Sequence, residues 1–383
     1  MPLFSKKIAP LILGMAVFFL ILIPVSTSFA IQFISEETEV ELGREADKQV
    51  VSQYGIYQDK ELQLYVNSIG QRLISKLADP IFNPYQFKIV DSSEINAFAL
   101  PGGFIYVTTG LLAVLNNESQ LAGVLGHEIG HVTFHHAAKM IVRQIGSQIL
   151  SLGGALASPK NAGQWLILST TMFQTINLGY GQEAELEADS HGIMNEFEAG
   201  YDPQSMVAFL KNLRQHEILS GQNYHSFVAT HPETKERIIK ADMMATTVSR
   251  RAPHLIKNRS EYLSKLKGLV YQGPRDKSDT RHYDPMYIDI YEVKEGDTFS
   301  SIAKNLLNDP QADMETAVLN GMKIDDPLTP GDTVKLIRKG TLKQKQRLTV
   351  EPDHTAQAPS PPAGPPDIPR EIPEEAFPQP ERR

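Results

Sequence analysis

The sequence predicts an α+β chain, with a mainly helical domain containing a small β-sheet followed by a small αβ module. Three observations carry that reading. Apolar residues recur at helical spacing over most of residues 35–250, only three short runs between 86 and 108 are β-rich, and a second compact segment, 284–340, follows a more charged stretch. At 383 residues, 41% of them hydrophobic, the chain is long enough for two or three domains and at least one sizeable core.

Lys6 and Lys7 precede an apolar run from Leu11 to Val25, and Ser26 to Ala30 supply the small residues of a cleavage site. Residues 1–30 therefore read as a cleaved signal peptide, or else as an uncleaved membrane anchor, and in either case the rest of the chain as exported and periplasmic. Val40, Gly43, Ala46 and Val50, then Leu62, Tyr65, Ile69 and Leu73, fit two helices broken near Tyr54-Gly55. Asp79-Pro80 and Asn83-Pro84 end the helical signal. Residues 86–90, 96–100 and 104–108 read as strands, the last two joined by the turn Pro101-Gly102-Gly103. A helix begins after Thr109-Gly110, and a second runs from near Asn117 to about Ile145. Others cover Glu183 to Ala199, Gln204 to Leu219, and the stretch from His231 to Met244. The Gly-punctuated apolar stretch 141–180 reads as a pair of helices on the core, or as a hairpin touching membrane or a partner. Residues 31–250 thus form one domain, 251–283 a linker and 284–340 the second module. From 341 to 383 Pro recurs with Glu, Gln, Ala and Ser, the composition of a disordered tail.

Composition excludes several chemistries. Without cysteine there is no disulfide, thiolate metal ligand or thiol nucleophile, so only oxygen and imidazole ligands remain. A net charge of −8 with no Lys/Arg run argues against nucleic acid as a partner.

The strongest chemical signal is His127-Glu128-Ile129-Gly130-His131. Helical residues four apart lie about 40° apart and about 6 Å along the axis, so both imidazoles can converge on one Zn²⁺. Glu128 then stands beside the open metal position, where it can take a proton from an attacking water. The flanks Leu121 to Leu125 and Val132 make this a buried helix, in which two His and a Glu are costly without a metal or partners. A third histidine six residues after His131 is absent, because that position is Ala137. A glutamate on a later helix is the alternative, and residues 183–189 supply Glu183, Glu185, Glu187 and Asp189. Glu185 and Asp189, four apart, share a face, so one can bind metal while the other hydrogen-bonds a ligand His. Glu183 and Glu187 point away and read as solvent or helix-stabilising charges.

An ordered set of motifs resembles the HtpX and CAAX prenyl-endopeptidase family of zinc metallopeptidases, in its soluble exported bacterial branch. The set comprises Tyr65 to Gly70, Asn96 to Gly103, Gly126-His127-Glu128 through His131, Glu185 through Asp189, Ala199 to Pro203, and Thr230-His231-Pro232. The resemblance implies a zincin-like domain holding one Zn²⁺ on His127, His131 and Glu185, with Glu128 as catalytic base and Asp189 supporting a ligand His. It also implies that Asn96, Ala97, Phe98 and Ala99 border the cleft and bind substrate by strand addition. His231 is expected to act on the reaction, either as a fourth ligand closing the site or as an oxyanion donor, unless it only caps a helix. His136 fits a supporting role and His135 a partly exposed helical one. Gln182 departs from the family, which often has Arg there, and this removes a charge near the site.

Residues 291–303 and 319–336, with Gly296-Asp297 and Gly331-Asp332 turns, resemble a LysM module, although Phe299 stands where Leu is usual. That resemblance implies peptidoglycan binding through 284–340, or a structural or substrate-holding appendage. The expected function is an exported zinc metalloendopeptidase that hydrolyses unfolded or misassembled envelope proteins, with possible contact to outer-membrane assembly or a membrane surface. The alternatives are a cell-wall-binding or chaperone-like protein with a regulatory zinc site and, more remotely, a wall-amide hydrolase.

Overall fold

Side-chain alternation in three short strands feeds two cores, one on each face of their sheet. The computed structural model describes residues 35–141, 143, 162–176, 179–220, 227–232, 235–252, 254–272, 285–340 and 342. The expected signal peptide, the tail from 343 onward and the stretch 273–283 lie outside the described residues.

Helices α1 (Glu36–Tyr54) and α2 (Lys60–Ile74) lead into β1 (Gln86–Val90), β2 (Ala97–Leu100) and β3 (Phe104–Thr108). The sheet order is β1-β3-β2, with β1 parallel and β2 antiparallel to β3. Phe87, Ile89, Ala97, Ala99, Ile105 and Val107 face the main core. Phe98, Leu100, Phe104 and Tyr106 face a second core shared with Leu42, Ala46 and Val50 of α1, as a period of two requires. The amide of Thr108 donates to the Asn96 carbonyl at 3.0 Å. Phe98 and Leu100 therefore turn their backbone groups to β3, and Ala97 and Ala99 turn theirs to the free edge.

Next come α3 (Thr109–Val114) and α4 (Glu118–Thr133). The helix expected to continue to Ile145 stops at Thr133. Phe134 caps it, His135 takes a left-handed φ of 53°, and a helical stretch resumes at 136. Of the 141–180 region, α5 (Ala162–Ile176) places Met172, Phe173 and Ile176 in the second core beside α1. Among the described residues no helix is long and apolar enough to cross a membrane. Helices α6 (Gln182–Glu198), α7 (Gln204–Ser220), α8 (Phe227–Thr230) and α9 (Lys235–Ser249) complete the helical layer.

The stretch read as a linker is structured where it is described. It forms α10 (Arg259–Leu266) and β4 (Val270–Gln272), and Tyr262, Leu263, Leu266 and Leu269 are buried in the main core. Arg251, Lys257, Glu261 and Lys267 are exposed, and their charges hid the apolar stripe. Strand β4 pairs with β5 (Met286–Glu292), which pairs with β6 (Thr333–Lys339). Between β5 and β6 lie α11 (Phe299–Ile302) and α12 (Asp313–Leu319), the expected strand, two helices, strand order. Phe299 fills the small core there with Val293, Ile302, Ala317, Val334 and Leu336. The module is bound to the helical domain: buried Lys335 donates to the carbonyls of Ala113 and Leu115, both at 2.7 Å, and Asn212 donates to the carbonyl of Val318 at 3.1 Å.

Candidate active site

Asn117 starts α4 by accepting the amide of Gln120 at 2.8 Å, and every residue from Glu118 to Val132 is buried. Such a helix can carry ionisable groups only where a facing element satisfies them. Helix α6 is that element, and small residues let it approach. A Cβ added to Gly192 would lie 2.8 Å from the amide nitrogen of His127, and one added to Gly130 would lie 3.0 Å from Ala188 Cα. This close crossing brings Glu185 and Asp189 to the two histidines.

His127, His131, Glu185 and His231 place one donor atom each within 4.8 Å of one another, all buried. His131 Nε2 lies 3.0 Å from His127 Nε2, which lies 3.2 Å from His231 Nδ1. Glu185 Oε1 is 3.4 Å from His131 Nε2 and 3.2 Å from His231 Nδ1, and its Oε2 is 3.5 Å from His127 Nε2. Burial opposes the charge on Glu185, but His231 and the other imidazoles outweigh it and hold its carboxyl far below the usual range. Burial drives His131 toward its neutral form, the form that offers a lone pair to a metal. Glu128 is fully buried beside the cluster, with Oε1 3.4 Å from His231 Nε2, and burial raises its pKa toward that of a working base.

A second layer orients the first. Asp189 Oδ1 accepts from His127 Nδ1 at 2.9 Å, and Arg237 grips both Asp189 oxygens at 2.8 Å. Burial works against the Asp189 anion, yet the bonds from His127 and Arg237 keep its pKa below the ordinary value. Arg237 also meets Glu185 Oε2 at 2.6 Å. His131 Nδ1 lies 2.8 Å from His136 Nδ1, and His136 Nε2 lies 3.1 Å from Glu187 Oε2. Tyr180 stacks on the His131 ring, with centroids 4.0 Å apart.

The structure brings together Glu128, His127, His131, Glu185, Asp189 and His231 as the sequence suggested. At the strand, Thr230 donates to Asn96 Oδ1 at 3.3 Å and His231 Nε2 donates to the Ala97 carbonyl at 3.3 Å. Phe98, expected to bind substrate, stacks its side chain on Tyr106 at 4.9 Å and turns its backbone groups to β3, so it offers neither to the edge, whereas Ala99 turns its backbone there. His135 is not helical; it bonds Glu39 at 2.7 Å from its left-handed turn. Glu187, expected to be a solvent charge, is half-exposed and bonded to His136. Sequence reasoning missed Arg237. Its signal was a cation on the buried stripe Arg237, Ala241, Ala245 and Val248. Gln182 donates to Glu236 at the surface, at 2.9 Å.

Residues 60–245 match the family model "Peptidase family M48" and residues 291–336 match "LysM domain". The chain is 33% identical over 249 residues to the Beta-barrel assembly-enhancing protease of Escherichia coli (strain K12), covering 62% of this chain and 50% of that protein. It is 30% identical over 259 residues to the protein of that name in Yersinia pestis, covering 64% and 51%. To the Mitochondrial metalloendopeptidase OMA1 of Schizosaccharomyces pombe it is 29% identical over 229 residues, covering 57% and 65%. The chain thus spans about half the length of the bacterial relatives. The motif helix, the facing glutamate and the appended βααβ module agree with these matches: residues 60–245 are similar to peptidase family M48 and residues 291–336 to a LysM domain.

Proposed function

We propose that this chain is an exported zinc metalloendopeptidase that hydrolyses peptide bonds in unfolded or misassembled envelope proteins. The observation that carries the reading is the donor set. A tetrahedral ion with bonds of about 2.0–2.1 Å needs donors roughly 3.3 Å apart, and five donor contacts here span 3.0–3.5 Å. His127, His131 and Glu185 would hold one Zn²⁺ per chain, with His231 closing the fourth position at rest. The ion, when bound, supplies electrophilic polarisation of the scissile carbonyl and acidifies the attacking water. Glu128 accepts the proton of that water and returns it to the leaving amine. The edge-facing backbone groups of Ala97 and Ala99 would hold the substrate as an added strand once His231 leaves the Ala97 carbonyl, a mode that reads main chain and so favours unfolded segments.

The envelope assignment is supported by residues 1–30, by the LysM domain and by relatives named for β-barrel assembly. Residues 284–340 would attach the enzyme to peptidoglycan, and a contact with outer-membrane assembly would present its substrates. The purified mature chain should cleave casein; a chelator or Glu128→Gln should abolish cleavage. A zinc-loaded protein that holds substrate without cutting it would favour the chaperone-like alternative.

A further inference from the structure

His127 and His131 are held by different devices. Behind His127 stands an anion, Asp189, which can only accept, and Arg237 clamps it. Behind His131 stands a second imidazole, His136, whose ring nitrogens can each donate or accept. An acceptor of that kind orients His131 only if something orients it in turn.

Hydrogen-bond direction settles what that something is. His131 turns Nε2 to the donor cluster, so its proton sits on Nδ1, 2.8 Å from His136 Nδ1. Two N–H groups cannot face each other, so His136 Nδ1 is the acceptor and its own proton sits on Nε2. That nitrogen lies 3.1 Å from Glu187 Oε2, an oxygen that accepts. The opposite tautomer of His136 would set two protons against each other at Nδ1 and aim a lone pair at a carboxylate. Glu187 thus selects the only tautomer that serves His131.

The backbone is bent to make this contact. In a continuous helix residue 136 would project about 140° around the axis from His131. The break at Phe134 and the left-handed φ of 53° at His135, a conformation non-glycine residues seldom adopt, return His136 to the His131 side. On its other face His131 is fixed by Tyr180, stacked at 4.0 Å with 21° between the planes. The outer end of the chain, Glu187, opens with His136 and Tyr180 onto a cavity of about 730 Å³.

We propose that Glu187 and His136 form a positioning relay that fixes the protonated nitrogen of His131 and so presents its Nε2 to zinc. The proposal rests on the zinc reading given above. Neither residue touches substrate, and both act through His131.

The test uses the full chain and Zn²⁺ alone. Zinc affinity is measured by competition with a chromophoric chelator, and histidine tautomers are read from ¹⁵N–¹H correlation of the labelled rings. His136→Phe should weaken zinc binding by about 10–100-fold. His136→Gln, whose amide can accept from His131 and donate to Glu187, should restore most of it. Glu187→Leu, at a half-exposed site that tolerates an apolar side chain, should weaken binding by about tenfold and leave His136 in mixed tautomers. Wild-type affinity and an unchanged tautomer in Glu187→Leu would overturn the relay, as would a folded His136→Gln that binds zinc no better than His136→Phe. A wild-type protein that binds no zinc would overturn the metal reading itself, a separate failure.

Discussion

The Nε2 atom of His231 lies 3.3 Å from the carbonyl oxygen of Ala97, while Nδ1 of the same ring lies 3.2 Å from Glu185 Oε1. One imidazole thus occupies both the fourth position of the donor cluster and the strand edge that a substrate would pair with. With Nε2 donating to Ala97, Nδ1 keeps the lone pair a metal needs. His231→Ala should retain zinc, since His127, His131 and Glu185 remain. The KM for an unfolded polypeptide should fall by about 2–10-fold, the worth of one displaced hydrogen bond of about 0.5–1.5 kcal/mol. A loss of kcat at unchanged KM would assign His231 to oxyanion donation instead.

Glu128 has no carboxylate oxygen committed to a hydrogen bond among the described residues, although it is fully buried. With the His231 imidazole 3.4 Å away and no hydrogen bond to fix it, this carboxyl suits a group that exchanges protons with substrate. Glu128→Gln keeps the shape and removes the base, so kcat should drop by about 10²–10⁴ with zinc content and thermal stability unchanged. Loss of zinc in parallel with activity would show that the carboxylate holds the site together.

Arg237 is the largest fully buried side chain, and it faces two carboxylates, Asp189 and Glu185. Removing the cation leaves Asp189 and Glu185 to the imidazoles alone. Arg237→Met should cost about 3–5 kcal/mol, read as a drop in Tm of roughly 10 °C for a domain of this size. Arg237→Lys should not restore stability, because an ammonium cannot span both Asp189 oxygens. Full recovery in the Lys variant would show that charge alone matters.

These residues mark the limit of what the sequence discloses. Helices α1, α2 and α6 were legible because their burial follows a period of 3.6, the three strands because their side chains alternate between two cores, and α4, buried throughout, because apolar residues flank its His-Glu-His motif. The candidate metal site was legible because His127 and His131, and Glu185 and Asp189, are each local spacings of four. The contacts of Arg237 with Asp189 and of Glu187 with His136 join residues 48 and 51 positions apart, and no local pattern specifies them. The end of α4 at Thr133 was hidden for a related reason. Phe134 and His135 carry no Gly or Pro signal, and the break is held by tertiary bonds from His135 to Glu39 and from His136 to His131.

The Glu39–His135 pair gives the protein a stability that depends on pH. Glu39 is almost wholly buried, and burial, outweighing the attraction of His135, raises its pKa from 4.5 to about 7. Between those values the folded protein keeps a proton that the unfolded chain has released. Stability from this group is therefore fully present below pH 4.5 and lost as pH rises through 7. The whole span is worth at most about 3 kcal/mol. Glu39→Gln, which cannot titrate, should remove this component. In thermal unfolding at pH 5 and pH 8, the wild type should lose more Tm on going to the higher pH than Glu39→Gln does. Equal losses in the two proteins would show that Glu39 is already ionised at pH 5 and that its bond to His135 is an ordinary ion pair.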